Sequence, residues 1–166
     1  MEPQEIVDHW GWSFVTRPLP DDVCLMQPGE CFANAQQLVR ATAVSRRTLA
    51  YCEGFVVFEP NDPILYHHAW CVDQNGVVID PTWYYLRQRT YTGVAFRAWV
   101  LPHYERVHGV GFNLLGDSEI RSLTSTEFER IAYCRGDRGG PAGRATSPPT
   151  GCFQTPGTWS SRPQRR

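Results

Sequence analysis

The strongest constraint on the fold of this chain is a pair of strand-like runs joined by four turn-forming residues. Leu65–Val72 and Val77–Asp80 are rich in β-branched and aromatic residues, and Asp73-Gln74-Asn75-Gly76 lies between them. That pattern reads as a β-hairpin. Leu49–Phe58, with Tyr51, Phe55, Val56, Val57 and Phe58, reads as another strand, and Tyr91–Leu101, with Tyr91, Val94, Phe96 and Trp99, as a further one. Glu59-Pro60-Asn61-Asp62-Pro63 is a loop. Upstream, Pro28-Gly29 marks a turn, and Glu30–Val44 follows with good helix formers and no Gly or Pro. A helix followed by several antiparallel strands predicts an α+β domain with the leading helix packed on one face of the sheet.

The flanks are less regular. Residues 1–30 hold Pro at 3, 18, 20 and 28 and read as irregular, although the spacing of Trp10, Trp12 and Phe14 predicts a short strand or an extended arm on the core. Asp117–Leu123 reads as a helical turn. Thr124-Ser125-Thr126-Glu127 is a capping box before a short helix, Ser125–Cys134. Residues 135–166 are rich in Gly, Pro, Ser, Thr and Arg and bury too little apolar surface to offset the entropy of ordering, so they read as a disordered tail after a single domain, 1–134.

Charge and cysteine usage narrow the function classes. The net charge of −1 makes no electrostatic case for nucleic acid as a partner. The tail holds six Arg against the single acid Asp137, a balance of +5, which leaves −6 to residues 1–134. All 16 basic residues are Arg. A GC-rich genome accounts for the missing Lys; a chain that offers no side-chain amine to an acyl group is the functional reading of the same fact. No apolar stretch approaches the about 20 residues needed to cross a membrane, and the acidic Met1–Asp8 does not read as a signal peptide. A reducing, cytoplasmic setting is expected, with the six Cys as free thiols.

Cys31 falls at the start of the predicted helix, where unpaired N–H groups and the helix dipole favour a thiolate and can also stabilise an oxyanion. Gly29 lets the backbone approach a substrate. A thiol nucleophile needs a base, and the base needs an orienting acid. His67 and His68 lie on the first strand of the hairpin, and Asp80 ends the second. A tight two-residue Asn75-Gly76 turn pairs 71 with 80 and puts His67 on the face of Asp80. A turn that adds Gly76 as a bulge residue shifts the parity and puts His68 there. The residues alone leave both open. His68-x-x-Cys71 and Cys24-x6-Cys31 supply zinc-ligand types, but neither spacing fits a compact structural site.

Cys-Phe-x-Asn-Ala at 31–35, Glu-Gly at 53–54, His-Ala-Trp at 68–70 and Ile-Asp-Pro-Thr at 79–82, in that order, resemble the transglutaminase-like branch of the papain-like thiol enzymes. Tyr91-x-Gly93-Val94-x-Phe96 is similar to strands that follow the Asp in small bacterial and phage members. The resemblance covers about residues 24–100. It implies a papain-like or transglutaminase-like core, with Cys31 as nucleophile, His68 as general base and acid, and Asp80 as the orienting group. It also implies an oxyanion donor upstream of the Cys, for which Gln27 is the candidate, although four residues is a close spacing. Asn34 and Trp70 are candidates on the substrate side, with Asn34 and Glu53 as hydrogen-bonding supports. No Asp-x-Asp-x-Asp loop is present, so neither calcium nor another cofactor is implied. The expected activity is acyl transfer through a thioester, with hydrolysis of a peptide, protein or other amide ahead of transfer to an amine. The alternative of another class is a non-catalytic binding module that uses an aromatic cleft and the Arg-rich tail.

Overall fold

In the computed structural model, which describes residues 1–44, 48–58, 64–83 and 89–133, five antiparallel strands form one sheet. In chain order they are β1 (Trp12–Phe14), β2 (Ala50–Val57), β3 (Tyr66–Val72), β4 (Val78–Ile79) and β5 (Thr90–Phe96), and across the sheet they run β1-β5-β2-β3-β4. The helices are α1 (Pro3–Trp10), α2 (Cys31–Val44), α3 (Val100–His108), α4 (Ser118–Ser122) and α5 (Ser125–Ile131). The chain is therefore α+β, as expected. The predicted tail and the loop 59–63 lie outside the described residues.

The hairpin register is fixed by its turn. The Gly76 N–H donates to the Asp73 carbonyl at 3.0 Å and the Asp73 N–H to the Val77 carbonyl at 3.1 Å. The Asp73 carboxylate also accepts from the N–H of Asn75 and of Val77, at 2.8 and 2.9 Å. Gly76 has φ 71°, a left-handed conformation that strains any residue with a Cβ. Cys71 therefore pairs with Ile79 and Val72 with Val78. This is the bulged arrangement, and alternation puts His68, Trp70 and Val72 on the same face as Val78 and Asp80.

The sheet curls until its outer strands meet. Val15, just past β1, bridges Val77, with the Val15 N–H donating to the Gly76 carbonyl at 3.2 Å and the Val78 N–H to the Val15 carbonyl at 2.8 Å. The inner face packs on itself through Phe14, Cys52, Val56, Trp70, Val72 and Tyr91. The outer face, with Tyr51, Ala69, Cys71, Val94 and Phe96, is covered by side chains from α1, α2, α3 and α5. Each large side chain so buried contributes about 1.5–3 kcal/mol of transfer free energy. Gly54 and Gly93 face each other across β2 and β5. A Cβ on Gly93 would lie 2.3 Å from the Glu53 carbonyl oxygen and 2.7 Å from the Trp70 ring, so the close approach of strands and ring needs glycine there.

Helix α2 turns Cys31, Asn34, Ala35 and Leu38 inward, the i, i+3, i+4, i+7 spacing of a helix laid on a sheet. Two helices were not anticipated. Helix α1 forms where residues 1–30 read as irregular, because Glu2 and Glu5 make a reciprocal capping box and Pro3 occupies the first turn. Its Ile6, Val7 and Trp10 are buried. The predicted strand Tyr91–Leu101 ends at Phe96. A turn closed by Val100 N–H to the Arg97 carbonyl, 3.0 Å, starts α3, and Pro102 is tolerated in its first turn, where no N–H partner is required. The expected capping box at Thr124 and Glu127 forms at the start of α5. Among the described residues no helix is long and apolar enough to cross a membrane.

Candidate active site

Asp80 lies one residue beyond β4 and is fully buried. The Asp-Pro-Thr turn folds its carboxylate back on the chain: Oδ1 accepts from the N–H of Thr82 at 2.8 Å and of Trp83 at 3.3 Å. Oδ2 lies 2.8 Å from His68 Nε2 and accepts from the Tyr91 hydroxyl at 2.7 Å. A carboxylate removed from water needs such partners, and these four use both oxygens.

His68 is only 2% exposed. Its Nε2 faces Asp80, which leaves Nδ1 as the ring nitrogen free to accept a proton. Burial pushes the imidazole pKa down from 6.5, but hydrogen bonding to Asp80 and to Cys31, and the negative charge of both, outweigh it and raise the value above 6.5. The indole of Trp83 lies flat on the His68 ring, centroids 3.6 Å apart and planes 1° apart. Trp83 in turn carries the Arg89 guanidinium, 4.7 Å above its ring.

Cys31 opens α2 and is 9% exposed. The chain before it is tied to the Asp80 turn once directly and once through Asn34. The Met26 N–H donates to the Pro81 carbonyl at 2.7 Å, and the buried Asn34 amide donates to the Gln27 carbonyl at 2.7 Å and to the Thr82 hydroxyl at 3.1 Å. These bonds bring the start of α2 to the Asp80 turn, past the end of β4. Asn34 is thus a strut inside the site. Gln27 is exposed, and its described contacts run through its main-chain carbonyl. Trp70, a candidate for the substrate side, is fully buried in the inner core, edge-on to Tyr91 and Phe14 with centroids 5.1 and 5.7 Å apart.

His67 points the other way, toward α2. Its ring sits beside Phe32 and Phe55, at 5.5 and 5.3 Å between centroids. Its Nε2 is buried without a hydrogen-bond partner, 4.0 Å from the Glu53 carboxylate. Burial, and then the charge of His68, push its pKa below 6.5. Glu53 is fully buried and accepts from the Tyr51 hydroxyl at 2.6 Å and from the N–H of Leu114 and Leu115 at 2.7 and 2.8 Å. Burial still raises its pKa to about 7, against the pull of those three donors. Glu53 and Gln36 together hold the segment 111–115 against α2, since the Gln36 amide accepts from Gly111 N–H at 2.7 Å and donates to the Phe112 carbonyl at 2.8 Å.

The sequence reading missed Tyr91 as a site residue and did not place Trp83 against His68. Parity carries the signal for Tyr91. His68 pairs with Gly54, which pairs with Gly93, so a residue two places from Gly93 shares the His68 face. His68 and Cys71, which share zinc-ligand chemistry, face opposite sides of β3, and Cys71 donates to the Ala35 carbonyl at 3.3 Å. Among the described residues no group of three or more His, Cys, Asp or Glu is placed to hold a metal ion, and Cys24, Cys31, Cys52 and Cys71 are free thiols. No protein-family model, curated protein or solved structure matches this chain.

Proposed function

We propose that this chain is a cysteine-dependent acyl-transfer enzyme that hydrolyses an amide, built on a transglutaminase-like core. One observation carries the reading: a buried histidine is held by a buried aspartate, and a cysteine at a helix start is among the groups that raise the pKa of that histidine. Cys31 gives its proton to His68 Nδ1 as its sulfur attacks the carbonyl carbon. Asp80 holds the ring and steadies the imidazolium. The unpaired N–H groups at the start of α2 stabilise the oxyanion. His68 then protonates the leaving amine, and an acyl-thioester remains on Cys31. Water, deprotonated by His68, releases the acid and restores the thiol; an amine in place of water gives transfer. The substrate is a peptide, a protein or another amide.

A second reading, a non-catalytic binding module, is favoured by how little of Cys31 and His68 reaches solvent, 9% and 2%. One experiment separates the two. The full chain is mixed with p-nitrophenyl acetate, release of p-nitrophenol is followed, and the acetylated residue is mapped by peptide mass spectrometry. The enzyme reading predicts a burst with the acetyl group on Cys31, absent in Cys31→Ser and His68→Gln. Acetylation of exposed Cys24 at the same rate, with no burst, would point to the binding module.

A further inference from the structure

Tyr91 is fully buried in the inner core, where a phenol O–H needs a partner. Of the polar groups around it, it bonds the one already used by His68. Asp80 Oδ2 receives the Tyr91 hydroxyl at 2.7 Å and faces His68 Nε2 at 2.8 Å. Two donors on one oxygen compete for the same electron density, so each weakens the hold of the carboxylate on the other. The phenol is braced on two sides. Its ring meets Trp70 edge-on at 5.1 Å, and the positive charge of Arg89 opposes the upward shift of its pKa. Arg89 is itself fixed between Phe58 and Trp83, 4.5 and 4.7 Å from their ring centroids. Trp83 is stacked on His68, so Arg89, held on Trp83, stands beside the His68 ring as well as influencing Tyr91.

We propose that Tyr91 is a positioning residue for His68, with Arg89 as its support: the shared bond to Asp80 Oδ2 limits how firmly Asp80 holds the imidazolium, and so keeps His68 able to pass a proton on to the leaving group. The inference rests on the assignment of His68 as base and acid and adds what tunes it. Burial, and then the Asp80 charge, drive the Tyr91 pKa far upward, so the phenol stays a donor.

The sign is open to measurement. With the Tyr91 O–H removed, Asp80 Oδ2 serves His68 alone, the imidazolium is held more strongly, and the His68 titration midpoint rises. The test is Tyr91→Phe in the full chain, which keeps the ring against Trp70, with the His68 ring protons titrated by NMR. The midpoint is expected to move up by about one pH unit, the equivalent of one charge-assisted hydrogen bond. Arg89→Gln, which leaves the phenol in place, moves it the same way by less, and serves as the test if Tyr91→Phe does not fold. A folded variant pair in which neither midpoint moves, or in which they move down, overturns the proposal. The rate of Cys31 with iodoacetamide is measured on the same samples. If Cys31 is inert in the unmodified chain, the enzyme reading fails, while the His68 midpoint still reports whether Tyr91 acts on Asp80.

Discussion

His67 and His68 are consecutive residues of β3 that face opposite sides of the sheet, and each looks toward a buried carboxylate. His68 meets Asp80 at 2.8 Å; His67 stops 4.0 Å from Glu53 and leaves Nε2 without a hydrogen-bond partner. The more buried ring, His68, has its proton affinity raised, and the less buried ring, His67, has it lowered. Burial pushes both down. A carboxylate at hydrogen-bonding distance from His68, against one 4.0 Å from His67, separates the two. The carboxylates differ in the same way. Asp80 spends one oxygen on backbone N–H groups and the other on the His68 and Tyr91 side chains; Glu53 spends both on Tyr51 and on the 114–115 backbone. One carboxylate thus holds a histidine, and the other holds a segment of backbone.

The largest effect expected separates the two rings. His68→Gln should lower acyl transfer by about 10²–10⁴-fold, the usual contribution of a general base and acid, while His67→Gln should stay within about threefold of the unmodified chain. Burst amplitudes with p-nitrophenyl acetate measure both.

The second effect separates the carboxylates through pH. Glu53 has a folded pKa of about 7 against 4.5 for the free group, so the native state binds the extra proton between those values. Its contribution is therefore most favourable below pH 4.5 and declines as pH rises through 7, by about 3 kcal/mol in all. His68 acts in the same direction: its contribution is complete below 6.5 and is lost as pH rises through its raised folded value. Urea unfolding at pH 4.5 and pH 8 should show stability falling more in the unmodified chain than in Glu53→Gln. An equal fall in both would remove Glu53 from the account.

Asn34→Ala cuts the strut between the approach to α2 and the Asp80 turn, removing bonds to Gln27 and Thr82. A loss of about 1–3 kcal/mol is expected in denaturant unfolding, together with slower Cys31 chemistry, because the helix start loses its tie to the Asp80 turn. The smallest effect falls on the turn that assigns the histidines. Gly76→Ala meets no neighbour within 4 Å, so only the left-handed φ of 71° opposes it, at about 1–2 kcal/mol. The register and the His68 titration should survive that change.

The hairpin, α2 and the middle strand were legible in the sequence because each has a local signal: turn residues at 73–76, helix formers after Pro28-Gly29, and β-branched and aromatic runs. The choice between His67 and His68 was not, since it depends on the φ of one residue, Gly76. Helix α3 was hidden because Val100 and Leu101 continue the apolar run of β5, and the break at 97–99 carries neither Gly nor Pro. Helix α1 was hidden because Pro3 read as a sign of irregular chain when it marks a helix start. Cys31, Asp80 and the histidines were named from motif order. Tyr91 could be found only through pairing across three strands, which no local pattern records.

The central claim is that His68 and not His67 acts on Cys31. The most direct test is alkylation by iodoacetamide at pH 7, with rates for Cys31 and Cys24 read separately by peptide mass spectrometry in the unmodified chain, His67→Gln and His68→Gln. The account predicts that Cys31 reacts faster than exposed Cys24, by about tenfold or more, in the unmodified chain and in His67→Gln, and that the advantage disappears in His68→Gln alone. A Cys31 rate that ignores His68→Gln, or that falls with His67→Gln instead, would contradict it.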